Sequence, residues 1–535
     1  MLPLSTLPPH DSLRCTDAPH PFDLPTADLI LRTSDLVDFR VHSQVLGLAS
    51  AFFAAMLALP EPTIGTPHPS THDTDAASKD APVIPVSEDS TTLELLLRLV
   101  YPMPKPHAQM EDAQMMVPAL LAATKYDMAL PIETMSERLV AIISKSPLQV
   151  WAAACRTGLE SVARQAAEAL KASWTPSSAE VLPFMDDLGD MSGISAGDYY
   201  RLKQFLAVDK SKEENGAFAL LSPLPIAGRP SSPSPFPSTV PPSAFSTDLP
   251  YPDVACRPSS RSGPDTQFFA HQLLLSMHSP VLKACIAERR EASEDLSDAT
   301  PATSDSPFNA SPVVLEFDEG PEVVAMLLNV CYDGEEARMP TDLVCLAALS
   351  VASRKYQMTR VARWVRAAWD TAAVLHPLEA YFVALSYGLS ECAEAAAKTV
   401  LTGPVADTYA AVMDTAPALH YHRLLIYYDA CRQLVRARLD EISMVIPEFV
   451  YMTVSNRSNA IHTSVPKNTL KGWIAGADYA PNGALKSAFQ EALLQAISPG
   501  SAFVAREVVR PFVECVASVP ETMDSVLDDV RIQLS

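Results

Sequence analysis

Lys125-Tyr126-Asp127-Met128 is echoed 230 residues later by Lys355-Tyr356-Gln357-Met358. No other feature narrows the possible folds as much. Pro147-Leu148 and Pro377-Leu378 stand at the same offset, as do Gly158-Leu159 and Gly388-Leu389; His42 to His271 is 229 and Tyr101 to Tyr332 is 231. So steady an offset, drifting by one residue either way, means one unit duplicated with loop changes, and the same core built twice.

Each copy opens the same way. Asp28 to Arg32 reads as a short buried strand, Thr33-Ser34-Asp35 as a turn, and Val37 to Val41 as the returning strand. After His42 the apolar period lengthens from two to about 3.6. Val45, Leu48, Ala49, Phe52 and Met56 then fall on one face, widened by Leu46, Phe53 and Leu57. Ser50 interrupts this run where its hydroxyl can cap a new helix. The second copy agrees, since Ser279 precedes Pro280, and proline at a first helical position loses no hydrogen bond. His42, Ser50, His271 and Ser279 are therefore expected to act as structural hinges between strand and helix.

Further along the first copy, Val83 to Val86 is a strand whose Pro85 belongs at an edge. Helices are predicted over Thr92 to Tyr101, Met115 to Tyr126 and Ile132 to Ser144, then a helical pair from Pro147 to Lys171 broken at Gly158. In the second copy Asp253 to Arg257 and Val313 to Phe317 are the matching strands. Residues 60–82 and Glu288 to Ser311 read as surface insertions. The fold class is α+β. Residues 1–26 are expected to form a mobile arm, 27–145 the first domain and 146–209 its helical extension. A Pro/Ser-rich linker follows at 210–250, then the second domain at 251–374, its extension at 375–440 and a helical C-terminal region at 441–535.

Sixty-three acidic residues against 40 basic ones give a net charge of −23. Such a field repels phosphate backbones, so direct nucleic-acid binding is not expected. No uncharged apolar run reaches about 18 residues and no basic, apolar leader opens the chain, so the expectation is a soluble intracellular protein without membrane contact, nuclear or cytoplasmic. The nine cysteines include no C-x-x-C pair and read as packing residues.

With these residues in hand, the unit resembles the BTB/POZ domain, most like the versions in large fungal families. The resemblance rests on Asp28-Leu29-Ile30-Leu31, Phe39-Arg40-Val41-His42, Ser50-Ala51-Phe52-Phe53, Leu96 to Tyr101 and Ala122 to Met128. It implies a small sheet flanked by helical hairpins, and a protein-interaction module that commonly self-associates, here between chains or between the two copies of one chain. Some members recruit cullins through a hydrophobic-x-Glu element after the second short helix. Leu59-Pro60-Glu61 and Ile286-Ala287-Glu288 occupy that place. Phe52, Phe53, Leu59, Glu61 and Glu288 are accordingly the candidate partner surface. The second copy has Val281-Leu282 in place of Phe52-Phe53, so the first is the one expected to bind.

No catalytic, cofactor-binding or metal site is expected. The chain lacks a Gly-rich phosphate loop and a Gly-x-Ser-x-Gly elbow. His68 and His72 are split by Pro69, and His420 and His422 diverge on either secondary structure. The functional reading is a non-enzymatic scaffold or adaptor. The alternatives are a cullin-ligase substrate adaptor and a transcriptional co-regulator working through a DNA-binding partner.

Overall fold

The computed structural model describes residues 15–59, 81–105, 110–173, 185, 187–207, 219–221, 252–259, 267–297, 312–333, 340–400, 408–445, 449–456 and 459–466. It is an α+β structure whose chain divides into two compact units, residues 1–194 with 201–222, and 195–200 with 223–535. Among the described residues no helix is long and apolar enough to cross a membrane.

The first unit begins with β1 (Thr16–Asp17), β2 (Leu29–Arg32) and β3 (Val37–Val41). Two short helices follow, α1 (Ser43–Ala49) and α2 (Ala51–Leu57), then β4 (Val83–Pro85). The strands lie in the order β1-β3-β2-β4. Leu31 sits opposite Phe39 in the antiparallel β2–β3 pair and opposite Ile84 in the parallel β2–β4 pair. Pro85 lies on an edge strand, where a missing N–H breaks no ladder. The hairpin is closed by Thr33, whose Oγ1 accepts from the Val37 N–H at 3.0 Å, and by a two-pronged Arg32–Asp38 pair at 2.7 and 2.8 Å. Five helices complete the core: α3 (Ser90–Val100), α4 (Ala113–Lys125), α5 (Ala129–Ile142), α6 (Pro147–Thr157) and α7 (Glu160–Ser173). Gly158, at φ 72°, ends α6 in the left-handed conformation that glycine adopts without strain.

α8 (Ala196–Ala207) has its first residues in the second unit. There the Ala196 N–H donates to Ala416 O at 2.7 Å, and Tyr199 packs edge-on to Tyr421 at 5.4 Å. The second unit continues with β5 (Val254–Arg257), β6 (Phe268–Ala270), α9 (Gln272–His278), α10 (Pro280–Ser297), β7 (Val313–Glu316) and α11 (Pro321–Asp333). α12 (Leu343–Lys355), α13 (Thr359–Leu375), α14 (Pro377–Ser386), α15 (Ser390–Val400), a 3-10 turn at Ala411–Asp414 and α16 (Ala418–Val445) follow. β5 pairs antiparallel with β6 and parallel with β7, repeating the connections of β2 with β3 and β4. The helix ends repeat as well. Asp127 (φ 51°) and Gln357 (φ 53°) are left-handed, and each is followed by a Met whose N–H reaches back, Met128 to Ala123 O and Met358 to Ser353 O, both 2.8 Å. Gly388, at φ 67°, matches Gly158.

Four expectations need correction. Residues 15–26 are anchored to the first unit, not a mobile arm: Thr16 pairs with Val37, and Phe22 is fully buried, 5.7 Å from the Phe39 ring and 5.6 Å from that of Tyr101. The Pro/Thr/Asp composition hid one aromatic anchor, and one such ring contributes a large share of local burial. Residues 1–14 lie outside the described residues.

The single apolar face drawn from Val45 to Met56 does not exist either. Ser50 resets the helical phase, so Leu46 and Phe53 are buried while Leu48 and Phe52 are exposed. In the second unit α10 runs on to Ser297, through the first ten residues read as a loop. Glu288 to Leu296 contains good helix formers and no proline.

The C-terminal region, read as helical, contains a hairpin of β8 (Phe449–Asn456) and β9 (Asn459–Pro466). Val450, Thr453 and Val454, with Ile461, Thr463 and Val465, supply the β-branched content that favours a pleated strand. Residues 467–535 of that region lie outside the described residues, as do His68 and His72.

Candidate protein-interaction surface

The strand-to-helix junction is built from the same parts in both units. The His42 N–H donates to the Tyr101 hydroxyl at 2.8 Å, with ring Nδ1 3.3 Å from the same oxygen. The His271 N–H and Nδ1 both lie 2.8 Å from the Tyr332 hydroxyl. Neither His side chain caps the helix that follows. That task falls to an upstream aspartate. Asp28 accepts from the Ser43 N–H at 2.7 Å and from its hydroxyl at 2.5 Å, and Asp253 accepts from the Gln272 N–H at 2.6 Å. The Ser43 bonds hold the Asp28 carboxyl below the usual aspartate range.

Ser50 and Ser279 do cap, and each also bonds across its unit. Ser50 Oγ accepts from the Phe53 N–H at 3.0 Å and donates to Tyr126 O at 2.5 Å; Ser279 Oγ accepts from the Leu282 N–H at 3.0 Å and donates to Tyr356 O at 2.6 Å. Both serines are buried.

The Lys-Tyr pair closes the other side of this clasp. Lys125 Nζ lies 2.9 Å from Glu88, to which the Tyr126 hydroxyl also donates. Lys355 Nζ lies 2.9 Å from Glu319, and Tyr356 donates to the same carboxylate at 2.6 Å. Burial, then the hydrogen bond to Glu88, pushes the Tyr126 phenol up to about 12. Burial also acts to raise the Glu88 carboxyl, but the hydrogen bonds from Tyr126 and Lys125 outweigh it and leave it low.

On this frame α1 and α2 present apolar side chains to solvent: Leu48 at 90 % exposure, Phe52 at 45 %, Leu57 at 38 %, and Leu59 just beyond at 70 %. Phe52 leans on Phe53, ring centres 5.4 Å apart. Phe53, expected on the partner surface, is instead core: it is 2 % exposed and stacked on Tyr126 at 4.9 Å. Glu61 lies outside the described residues. In the second unit Glu288 is exposed on α10, but Ile286, the apolar member of its hydrophobic-x-Glu triplet, is fully buried and out of reach of a partner. That unit is not bare of apolar surface, because α9 exposes Leu273 at 70 % and Met277 at 72 %. At the junction offset of 229 these positions are Gln44 and Leu48 in the first copy.

Asp28, Tyr101 and Asp253 entered the sequence reading only as parts of strands, a helix end or the repeat, and Glu88 and Glu319 did not enter it. Extending the offset would have found Glu88 with Glu319, which are 231 apart like Tyr101 and Tyr332.

The second unit also holds a cleft of about 590 Å³ lined by Ser353, Arg354, Gln357, Arg366, Glu391 and Cys392. Arg366 Nε is held by Asp370 at 2.9 Å, and burial raises the Cys392 thiol above its ordinary range. A raised thiol is a poor nucleophile. Burial likewise pushes Cys256 and Cys331 up to about 12. His422 is buried with its Nδ1 3.3 Å from the Tyr199 hydroxyl. No protein-family model and no curated protein matches the chain.

Proposed function

We propose that the chain is a non-enzymatic protein-interaction scaffold or adaptor built from two BTB/POZ-like units with helical extensions. The observation that carries this reading is the exposure of Leu48, Phe52 and Leu57 on two short helices, and of Leu59 just beyond them, with buried Ser50 and Phe53 fixing the backs of those helices. Large apolar side chains exposed on a rigid support are what a protein partner covers. Its position beside the repeated junction agrees with the resemblance drawn from the sequence.

The test is affinity capture of the full chain against L48D/F52S and L273D/M277D, with partners identified by mass spectrometry. A partner held by the parent chain and lost from L48D/F52S, at unchanged circular dichroism and melting temperature, supports the reading. Capture of the same set by all three chains overturns it. Loss from L273D/M277D alone would move the binding role to the second unit.

A further inference from the structure

Ala219, Leu220 and Leu221 lie in neither helix nor strand. They belong to the first unit. The backbone bends at Leu220–Leu221, and Leu220 is fully buried while Leu221 is 8 % exposed. Their two successive N–H groups are taken by one carboxylate: Leu220 N donates to Glu160 Oε1 and Leu221 N to Glu160 Oε2, both at 2.9 Å. Arg164 Nη2 steadies the same carboxylate at 3.2 Å. A stretch of chain outside helix and strand, held by a carboxylate fork and two buried leucines, is attached in the manner of a linear peptide motif, not of a core element. The duplication supplies a comparison. At the offset of 230, Ser390 stands where Glu160 stands, so the equivalent position in the second unit carries no carboxylate.

We propose that Glu160 and the apolar seat filled by Leu220 and Leu221 form a peptide-recognition site of the first unit. Its ligand class is a bent segment with two adjacent leucines and free amide N–H groups, and its occupant here is the chain's own Ala219–Leu221. Recognition reads the backbone through Glu160 and the side chains through the seat, so proline at either leucine position is excluded for want of an N–H. This site is independent of the exposed apolar surface on α1 and α2.

The experiment uses the full chain and a fluorescently labelled synthetic peptide of residues 216–224, followed by anisotropy. The L220D/L221D chain, emptied of its own occupant, is expected to bind the peptide saturably. The parent chain is expected to bind at least tenfold more weakly because the seat is filled, and E160A/L220D/L221D at least tenfold more weakly because the fork is gone. Equal affinity with and without Glu160 overturns the proposal, and so does absence of binding to an L220D/L221D chain whose circular dichroism matches the parent. Should that chain fail to fold, amide exchange in E160A decides. Faster exchange confined to residues 219–221 supports the fork, and unchanged exchange there overturns it.

Discussion

Ser50→Ala removes two bonds at once. The α2 cap to the Phe53 N–H is lost, and Tyr126 O is left without its donor inside the core. A lost cap costs about 1 kcal/mol, and an orphaned buried acceptor a further 1–3 kcal/mol or so. The sum is about 2–4 kcal/mol, which for a unit of this size lowers the melting temperature by roughly 4–16 °C.

Asp89→Ala is the control. Asp89 Oδ1 also caps a helix, accepting from the Thr92 N–H at 2.7 Å, but Asp89 is exposed and, among the described residues, bonds nothing across the unit. It should cost only about 1 kcal/mol. Ser50→Gly separates the two contributions, because glycine is itself a tolerable cap but cannot donate to Tyr126, so most of the orphaned-acceptor cost should remain. Thermal unfolding by circular dichroism, with amide exchange of the 50–57 segment, reads all three. A Ser50→Ala loss no larger than that of Asp89→Ala would refute the cross-unit bond. Ser279→Ala should reproduce the effect in the second unit, from its bond to Tyr356 O.

The other predictions concern the clasp, the junction and the surface. The Tyr126 phenol is raised in the folded chain, so its contribution is full below pH 10 or so and lost as pH rises through about 12; ultraviolet titration should find a late-ionising tyrosine that Tyr126→Phe removes. The depressed Asp28 carboxyl works in the opposite sense, contributing above about pH 4 and losing that contribution as pH falls through its lower folded value. Urea melts should therefore show Asp28→Asn clearly weaker than the parent at pH 7 and nearly equal to it at pH 2, and a constant difference would contradict the linkage. Leu48→Asp, at a fully solvated position, should leave stability within about 0.5 kcal/mol of the parent, read from the same melts.

The elements most legible in the sequence were those fixed by local chemistry. The bounds of β3, the start of α6 at Pro147 and the break at Gly158 followed from turn residues, proline and apolar period, and the repeat points to Pro377 and Gly388 as their counterparts. What stayed hidden depends on contacts between residues far apart in the chain. Phe22 sits among Pro and Thr, and only the fold brings it against Phe39 and Tyr101. Phe53 and Phe52 are adjacent and chemically identical, so their opposite fates follow from the phase reset at Ser50 rather than from residue type. The Asp28, Tyr101 and Glu88 partners of the junction and clasp lie 15, 59 and 38 residues from the groups they bind. No helical or strand period reaches across such distances.

The parallel strand pairs carry a consequence for how this chain can be altered. Ile30 pairs with Val83 and Val254 with Val313, closing loops of 53 and 59 residues around the same core. Loop-closure entropy grows only logarithmically, so that difference amounts to about 0.1 kcal/mol. Even doubling the span would cost roughly 0.6 kcal/mol. The stretch between α2 and β4 is thus a natural port for inserting a foreign domain or reporter, since the sheet registers where the chain returns and is nearly indifferent to how far it has travelled.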